Sequence, residues 1–130
     1  MSQEHQAIFT ENAPAPVGAY SQAMRAGGFL FVSGQVPLAP GEKSLVSDDV
    51  EAQIHQVFKN LQAVIEAGGV SFAQAVKLTV YLADLGDFQT VNRIMAEYVP
   101  EPFPARVAIQ AAALPLGAAV EIDAILFCEG

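Results

Sequence analysis

The chain has 130 residues, of which 52% are hydrophobic and only 15% are charged. A chain of this length predicts one domain. Soluble proteins carry about 25% charged residues on average, so the charge is too sparse to cover a monomer and an oligomer is expected. The formal net charge is -8 and the six cations are spread singly, whereas nucleic-acid binding needs a basic patch. The composition therefore argues against nucleic acid as a partner.

The chain contains a single cysteine, Cys128. It cannot form a disulfide within the chain, so secretion gains no support. Residues 1–12 lack the basic segment and apolar stretch of a signal peptide. No apolar run reaches the ~18 residues that a membrane-spanning helix needs. We therefore expect a soluble, cytoplasmic protein with no membrane partner.

The first predicted elements are an extended segment and a strand. Three of the six residues 13–18 are small and two are proline, which favours extended, turn-like backbone because proline fixes its own φ and restricts the preceding residue. The apolar, β-prone residues 29–32 predict a strand. The sequence Ser33-Gly34-Gln35 is expected to end this strand, and residues 37–41 are expected to form a loop.

Residues 48–67 give the clearest signal, which is a helix. Ser47 or Asp48 can cap its start, and Gly68 with Gly69 can close its end. Apolar residues recur at three- and four-residue steps and form a single stripe. The members of the stripe are Val50, Ile54, Val57, Phe58, Leu61, Val64 and Ile65.

The second half of the chain predicts three strands and another helix. Residues 76–82 alternate apolar and polar side chains, the period of a strand. A helix over 87–98 is stopped by the proline-rich corner at 100–104, and two strands follow at 105–111 and 119–128. The predicted order is ββαβαββ, an α+β domain with two helices on one face of a sheet.

The last predicted strand is apolar on both faces. One face carries five small or apolar residues, and the other carries Ile125 and Phe127 beside Glu121 and Asp123. Apolar residues on both faces indicate that both are at least partly covered. Since the helices can cover only one face, we expect the other to meet another subunit.

Several kinds of site are not expected. A metal site needs clustered ligands, but His5 is predicted to lie in a tail and His55 on the polar face of the first helix, both solvated. Ser33-Gly34-Gln35 matches neither a phosphate-binding loop nor a serine elbow. Cys128 lies on an apolar face and is interpreted as a small buried hydrophobe rather than a nucleophile.

Two charged residues in apolar strands are the main candidates for chemistry. Arg106 follows a rigid Pro-Phe-Pro corner, and its guanidinium is suited to a bidentate grip on a carboxylate; the alternative is an exposed arginine at a strand end. Glu121 has apolar neighbours, and burial would raise its pKa as acid–base catalysis requires; the alternative is an edge-strand glutamate in water. Taken individually, Tyr20, Ser33 and Asn92 favour structural roles over functional ones. The residues alone indicate an α+β oligomer that binds a small carboxylate, without defining a reaction.

Segments along nearly the whole chain resemble the Rid (YjgF) family of imine deaminases. The N-terminal matches are APVGAYSQA (15–23) and VSGQ (32–35), and the central ones are 60–69 and KLTVYLAD (77–84). The remaining matches are FQTVN (88–92), FPAR (103–106), LP (114–115) and VEIDAI (120–125). No single motif is specific, but their order and spacing together are.

The resemblance implies a chorismate-mutase-like homotrimer with active sites in the clefts between subunits. It implies hydrolysis of reactive 2-imino acids, of the 2-iminobutanoate and 2-iminopropanoate type, to 2-oxo acids and ammonia, with no metal or cofactor. Arg106 would hold the substrate carboxylate, and Glu121 would position or activate the attacking water. The other residues implied to line the pocket are Tyr20, Ser33, Gly34, Asn92, Ala108 and Pro115.

The chain departs from the family pattern at two places. Ala19 replaces a usual proline, and Val107-Ala108 replaces a frequent Ser/Thr-Cys pair. The contribution of that cysteine is thought to be its backbone N–H, which Ala108 retains, so activity is expected while substrate preference is left open. Two alternatives remain: an endoribonuclease, which the acidic balance disfavours, and a non-catalytic module that binds small carboxylates and regulates.

Overall fold

The computed structural model describes residues 5–128. Six strands and two α-helices follow one another in the order βββαβαββ. This confirms the predicted α+β class, and it adds one strand to the predicted ββαβαββ order. The elements are β1 (His5–Ile8), β2 (Ala23–Ala26), β3 (Phe29–Gln35), α1 (Val50–Ala67), β4 (Ala75–Leu82), α2 (Phe88–Tyr98), β5 (Ala105–Gln110) and β6 (Val120–Phe127).

Helix α1 begins one residue later than the predicted cap would place it. Asp49, rather than Ser47 or Asp48, is the N-cap, and its side chain accepts a hydrogen bond from the Ala52 N–H at 3.0 Å. Ser47 instead accepts from the Asp49 N–H at 2.9 Å. The predicted stripe is fully buried from Ile54 onward, because these side chains pack on the sheet. The helix ends at Ala67, and Gly68 is its C-cap, in agreement with the predicted closing glycines.

The strands form one six-stranded sheet in the order β1-β2-β3-β6-β4-β5. All neighbouring pairs are antiparallel except β4 and β5, which run parallel and are connected through α2. Strand β6 lies at the centre, between β3 and β4. Strand β5 is the free edge on one side, so its outward backbone groups meet no further strand of the described chain.

The two faces of the sheet differ in burial. On the helix face, buried residues alternate along β6 from Val120 to Leu126, and Phe58 of α1 stacks on Tyr98 of α2 with ring centroids 5.2 Å apart. No helix within residues 5–128 covers the opposite face, which is called the open face below. Its exposed apolar side chains are Phe29, Phe31, Val107, Ile109 and Phe127, each between 39% and 46% exposed.

Two local predictions near the N-terminal strands were wrong. His5 lies in strand β1 rather than in a tail, because residues 5–8 pair with β2. Ser33, Gly34 and Gln35 belong to β3 rather than ending it early, since Gln35 still pairs with Ile122 across an irregularity after Val32. Within residues 5–128, no helix is long and apolar enough to cross a bilayer.

Candidate active site

An open cavity of about 940 Å³ lies where the end of β3 meets the start of β6. Five of the residues singled out in the sequence line it: Tyr20, Ser33, Gly34, Pro115 and Glu121. Several other residues that line the cavity could not be selected from the sequence, because they lie in two irregular segments that are far apart in the chain. These are Val36, Leu38, Glu42, Lys43 and Leu116.

Glu121 is the acidic group that β6 presents to this cavity. Its carboxylate lies against Gly34: a Cβ built on that glycine would be only 2.0 Å from Glu121 Oε2. Glycine at this position is therefore what lets the carboxylate lie against the backbone of β3. Burial, and secondly the negative charge of Asp123, raise the pKa of Glu121. A raised pKa makes the carboxylate a better proton acceptor and suits the group to proton transfer.

Ser33 and Tyr20 occupy the wall beside Glu121. The Ser33 hydroxyl donates to the Ser21 carbonyl at 2.6 Å, and the Ser33 N–H donates to the Gln22 carbonyl at 2.9 Å. Ser33 therefore joins the segment that contains Tyr20 to β3. The Tyr20 side chain is 50% exposed, and its hydroxyl accepts a long hydrogen bond of 3.4 Å from the Val17 N–H.

Buried amide side chains hold the loops that form the cavity wall. Gln22 is 1% exposed, and its Nε2 donates to the carbonyls of Thr10 at 3.0 Å and Pro14 at 2.9 Å. Asn60 is fully buried, and its Nδ2 donates to the carbonyls of Val36 at 3.0 Å and Leu38 at 2.9 Å. These bonds satisfy loop carbonyls that would otherwise be buried without a partner, so the wall is preorganised.

The turn that contains Pro115 is strained at its next residue. Leu116 has φ 61° and ψ 16°, a left-handed conformation that costs a non-glycine residue about 1–2 kcal/mol. Its side chain is 60% exposed and lies at the cavity. Strain of this kind is often found at binding sites, which agrees with the position of the turn.

Arg106 lies elsewhere, on the edge strand β5. Its register partner is Leu78, so it projects from the helix face of the sheet. Nη1 donates to Asn92 Oδ1, and the guanidinium carbon lies 4.8 Å from the centroid of the Phe88 ring. The Phe88 ring thus packs against the guanidinium, and the only sequence signal for this contact is that Phe88 lies four residues before Asn92.

The Arg106 guanidinium is held in place but not neutralised. Within residues 5–128 the only ion pair is Arg93 with Glu51. The described hydrogen bonds of Arg106 use Nη1 alone, so Nε and Nη2 are free to donate. Two parallel donors on a fixed guanidinium match the geometry of a carboxylate.

The candidate residues therefore fall into two groups that do not meet within one chain. The glutamate group consists of Tyr20, Ser33, Gly34, Pro115 and Glu121, around the cavity. The arginine group consists of Arg106 and Asn92, with Ala108 farther along the same edge strand. Strand β4 separates β6 from β5, and Arg106 projects from the face opposite to Glu121.

His55 and Cys128, which were not expected to take part in chemistry, lie outside the cavity. His55 was predicted to be solvated, but it is half-buried and its Nδ1 lies 2.8 Å from the Tyr98 hydroxyl. This prediction was wrong because α2 packs beside that face of α1. Cys128 is buried, as interpreted. Among the described residues, no three His, Cys, Asp or Glu side chains are grouped as a metal site would require.

Comparison with known proteins identifies the family. The family model described as Endoribonuclease L-PSP matches residues 10–128. A RutC family protein of Pyrococcus horikoshii is 48% identical over 122 residues, which is 94% of this chain and 97% of the relative. The human 2-iminobutanoate/2-iminopropanoate deaminase is 43% identical over 118 residues, covering 91% of this chain and 86% of the human protein.

Solved structures agree with these relatives. RidA from the Antarctic bacterium Psychrobacter superposes with a TM-score of 0.90 at 45% identity, covering 94% of this chain and 98% of RidA. E. coli TdcF, solved with bound serine, superposes with a TM-score of 0.87 at 32% identity, covering 95% and 99% of the two chains. The chain therefore belongs to the Endoribonuclease L-PSP family, which includes the RutC, RidA and iminobutanoate/iminopropanoate deaminase proteins, and the resemblance to the Rid family is confirmed.

Proposed function

We propose that this chain hydrolyses reactive 2-imino acids, of the 2-iminobutanoate and 2-iminopropanoate type, to 2-oxo acids and ammonia. One observation supports this most strongly. The described residues include a guanidinium, that of Arg106, which is held in place without an acidic partner and is suited to bind a substrate carboxylate. They also include a carboxyl group of raised pKa, that of Glu121, which is suited to proton transfer. Human and rat relatives at 43% and 46% identity have names that specify this reaction.

The reaction needs both groups at one substrate, so the proposal includes a homotrimer. The open face of each sheet exposes apolar side chains, among them Phe31 at 45% and Phe127 at 46%. Covering such a face with copies of the same chain removes apolar area from water. In the proposed assembly, the edge strand β5 of one subunit borders the cavity of its neighbour, and the partner's Arg106 completes the site around Glu121.

The proposed chemistry proceeds by addition and elimination. Arg106 holds the carboxylate of R–C(=NH)–COO⁻ and so fixes the neighbouring C=N carbon. Glu121 takes a proton from water as the water oxygen adds to that carbon, and it passes this proton to the imine nitrogen, which gives R–C(OH)(NH₂)–COO⁻. Glu121 then takes the hydroxyl proton as the C=O bond forms and delivers it to the nitrogen as the C–N bond breaks, so that R–CO–COO⁻ and ammonia are released. Water and proton transfer account for every step, so no metal or cofactor has a role in it.

Two other functions are compatible with the family and are part of the test. An endoribonuclease activity is suggested by the family description, but the net charge of -8 opposes binding to a polyanion. A non-catalytic carboxylate-binding module would use Arg106 without Glu121. The serine bound to TdcF supports a small carboxylate ligand without deciding between catalysis and binding.

The decisive assay generates 2-imino acids in place with an amino-acid oxidase and follows the 2-oxo acid. Wild-type protein should accelerate its appearance, and the Arg106→Ala variant should not. A parallel incubation with single-stranded RNA should leave the RNA intact. Binding of a 2-oxo acid by calorimetry with no acceleration of imine hydrolysis would identify a binding module, and RNA cleavage abolished by Glu121→Gln would identify a ribonuclease. Either result would refute the proposal.

A further inference from the structure

Three ionisable side chains lie together on the open face near the start of β6. Tyr81 of β4 is the register partner of Glu121, and Thr79 is the partner of Asp123. The Tyr81 hydroxyl donates to Asp123 Oδ2 at 3.1 Å, so it reaches across the diagonal of the strand pair. The bond fixes the Asp123 carboxylate on the same face of the sheet as Glu121, two residues farther along β6, where the two Cα atoms are about 7 Å apart.

No described cation cancels the negative charge of Asp123 in this position. Its side chain is half-buried and accepts a hydrogen bond from Tyr81. Within residues 5–128, no basic group lies within ion-pair distance of Asp123. Lys77 is on the same face but pairs with Ile125, two register pairs from Asp123, and it forms no ion pair with Asp123 among the described residues. The field of Asp123 is thus partly shielded from solvent and is not offset by an ion pair.

We propose that Asp123, oriented by Tyr81, is a positioning residue that acts on the proton-transfer group Glu121 through its fixed negative charge. This inference rests on the proposed function of Glu121. A negative charge nearby favours the protonated form of a carboxyl group. It makes the Glu121 carboxylate a stronger base toward water, and it keeps a proton available for the departing nitrogen. The Tyr81 hydroxyl restrains Asp123 and offsets part of its charge.

Other groups face Glu121 and must be considered with Asp123. Tyr20, Glu42 and Lys43 line the same cavity. In the proposed trimer, the partner's Arg106 would approach from the opposite side of the substrate. The pKa of Glu121 is raised first by burial and secondly by Asp123, and Asp123 also raises the pKa of Tyr81 after the larger effect of burial. Asp123 is therefore a charged group that raises the pKa values of both Glu121 and Tyr81.

The test is a carbon-13 NMR titration of the Glu121 carboxyl in the whole, assembled protein, without substrate. Asp123→Asn retains the shape and removes the charge, so the pKa of Glu121 should fall toward its ordinary value. The acidic limb of the kcat/KM profile should move to lower pH by the same amount. Asp123→Glu should restore the wild-type limb, and the matched control Asp48→Asn, at an exposed position before α1, should change neither.

Tyr81→Phe separates the charge from the hydroxyl. It keeps the Asp123 charge but removes the hydrogen bond that orients the carboxylate and partly offsets its charge, so the pKa of Glu121 should stay closer to the wild-type value than it does in Asp123→Asn. A fall as large as that in Asp123→Asn would assign the effect to Tyr81 and overturn the proposal. This variant and Asp123→Glu also test the proposal if Asp123→Asn fails to fold.

The titration and the activity assay can fail independently. An unchanged Glu121 pKa in folded Asp123→Asn overturns the role of Asp123 even if imine hydrolysis is observed. A lowered pKa in a protein that does not hydrolyse imines supports the role of Asp123 and refutes the proposed function.

Discussion

Replacing Gly34 with alanine should displace Glu121 without unfolding the protein. The added Cβ would lie 2.0 Å from Glu121 Oε2, 3.0 Å from its Cδ and 3.2 Å from its Cγ. Non-bonded atoms need about 3.5 Å, so the carboxylate must move by about 1.5 Å. A misplacement of this size at a reacting group costs on the order of 10²-fold in rate, and kcat/KM for imine hydrolysis should fall by that factor.

The stability of the Gly34→Ala variant should change little. Glu121 is only half-buried, so its side chain can rotate away at a cost of about 0.5–1.5 kcal/mol. Alanine in place of glycine returns about 0.4–1 kcal/mol by restricting the unfolded chain. The free energy of unfolding, measured by denaturant titration, should therefore stay within about 1 kcal/mol of wild type.

Gly28→Ala is the matched control for this experiment. There the added Cβ would meet only the Cys128 carbonyl oxygen, at 3.9 Å, so both rate and stability should be retained. In a Glu121→Gln background, Gly34→Ala should cause little further loss of rate, because both changes act on the same group. Full activity in folded Gly34→Ala would refute the assignment of Glu121.

Substitutions at three positions, Arg106, Glu121 and Phe31, test the substrate anchor, the proton-transfer group and the subunit interface. Arg106→Ala should cost about 2–5 kcal/mol of substrate binding, and Arg106→Lys should rescue poorly because an ammonium cannot form the planar fork; near wild-type kcat/KM in a folded trimer would exclude Arg106 as the anchor. Because the pKa of Glu121 is raised in the folded state, wild-type stability should fall as pH rises between the ordinary and the raised pKa. Glu121→Gln should make stability less dependent on pH and raise Tm at pH 7, while the rate of imine hydrolysis falls on the order of 10²-fold. A lower Tm, measured by calorimetry, would contradict a destabilising charge at Glu121. Phe31→Asp puts a charge on the open face and should yield smaller species by light scattering, whereas an intact trimer would mean that this face is not the interface.

Helices and strands with a periodic pattern could be predicted from the sequence, because the spacing of their apolar residues reflects which side chains are buried. The stripe of α1 and the alternation in β6 follow from side chains that must face one core. Strand β1 could not be found this way. Its four residues are mostly exposed, and only the backbone of β2 defines them as a strand. The same holds for Gly34, whose place in β3 depends on its neighbour β6.

The candidate residues could be named from the sequence, but their distribution could not. Arg106 and Glu121 both follow from polar side chains in apolar strands, supported by the family resemblance. That they lie on opposite faces and two strands apart follows from the strand order and register, in which β4 separates β5 from β6. Tyr81 and Asp123 were not selected as a pair, because their contact spans 42 residues of sequence.

The central claim is that Arg106 of one subunit and Glu121 of another form each active site, and mixing two inactive variants tests it directly. Arg106→Ala and Glu121→Gln chains, co-refolded in equal amounts, should form mixed trimers detectable by native mass spectrometry. Each mixed trimer would contain one site with both groups intact, so random mixing should restore about a quarter of the wild-type rate of imine hydrolysis. Mixed trimers with no more activity than either variant alone would contradict a site shared between subunits.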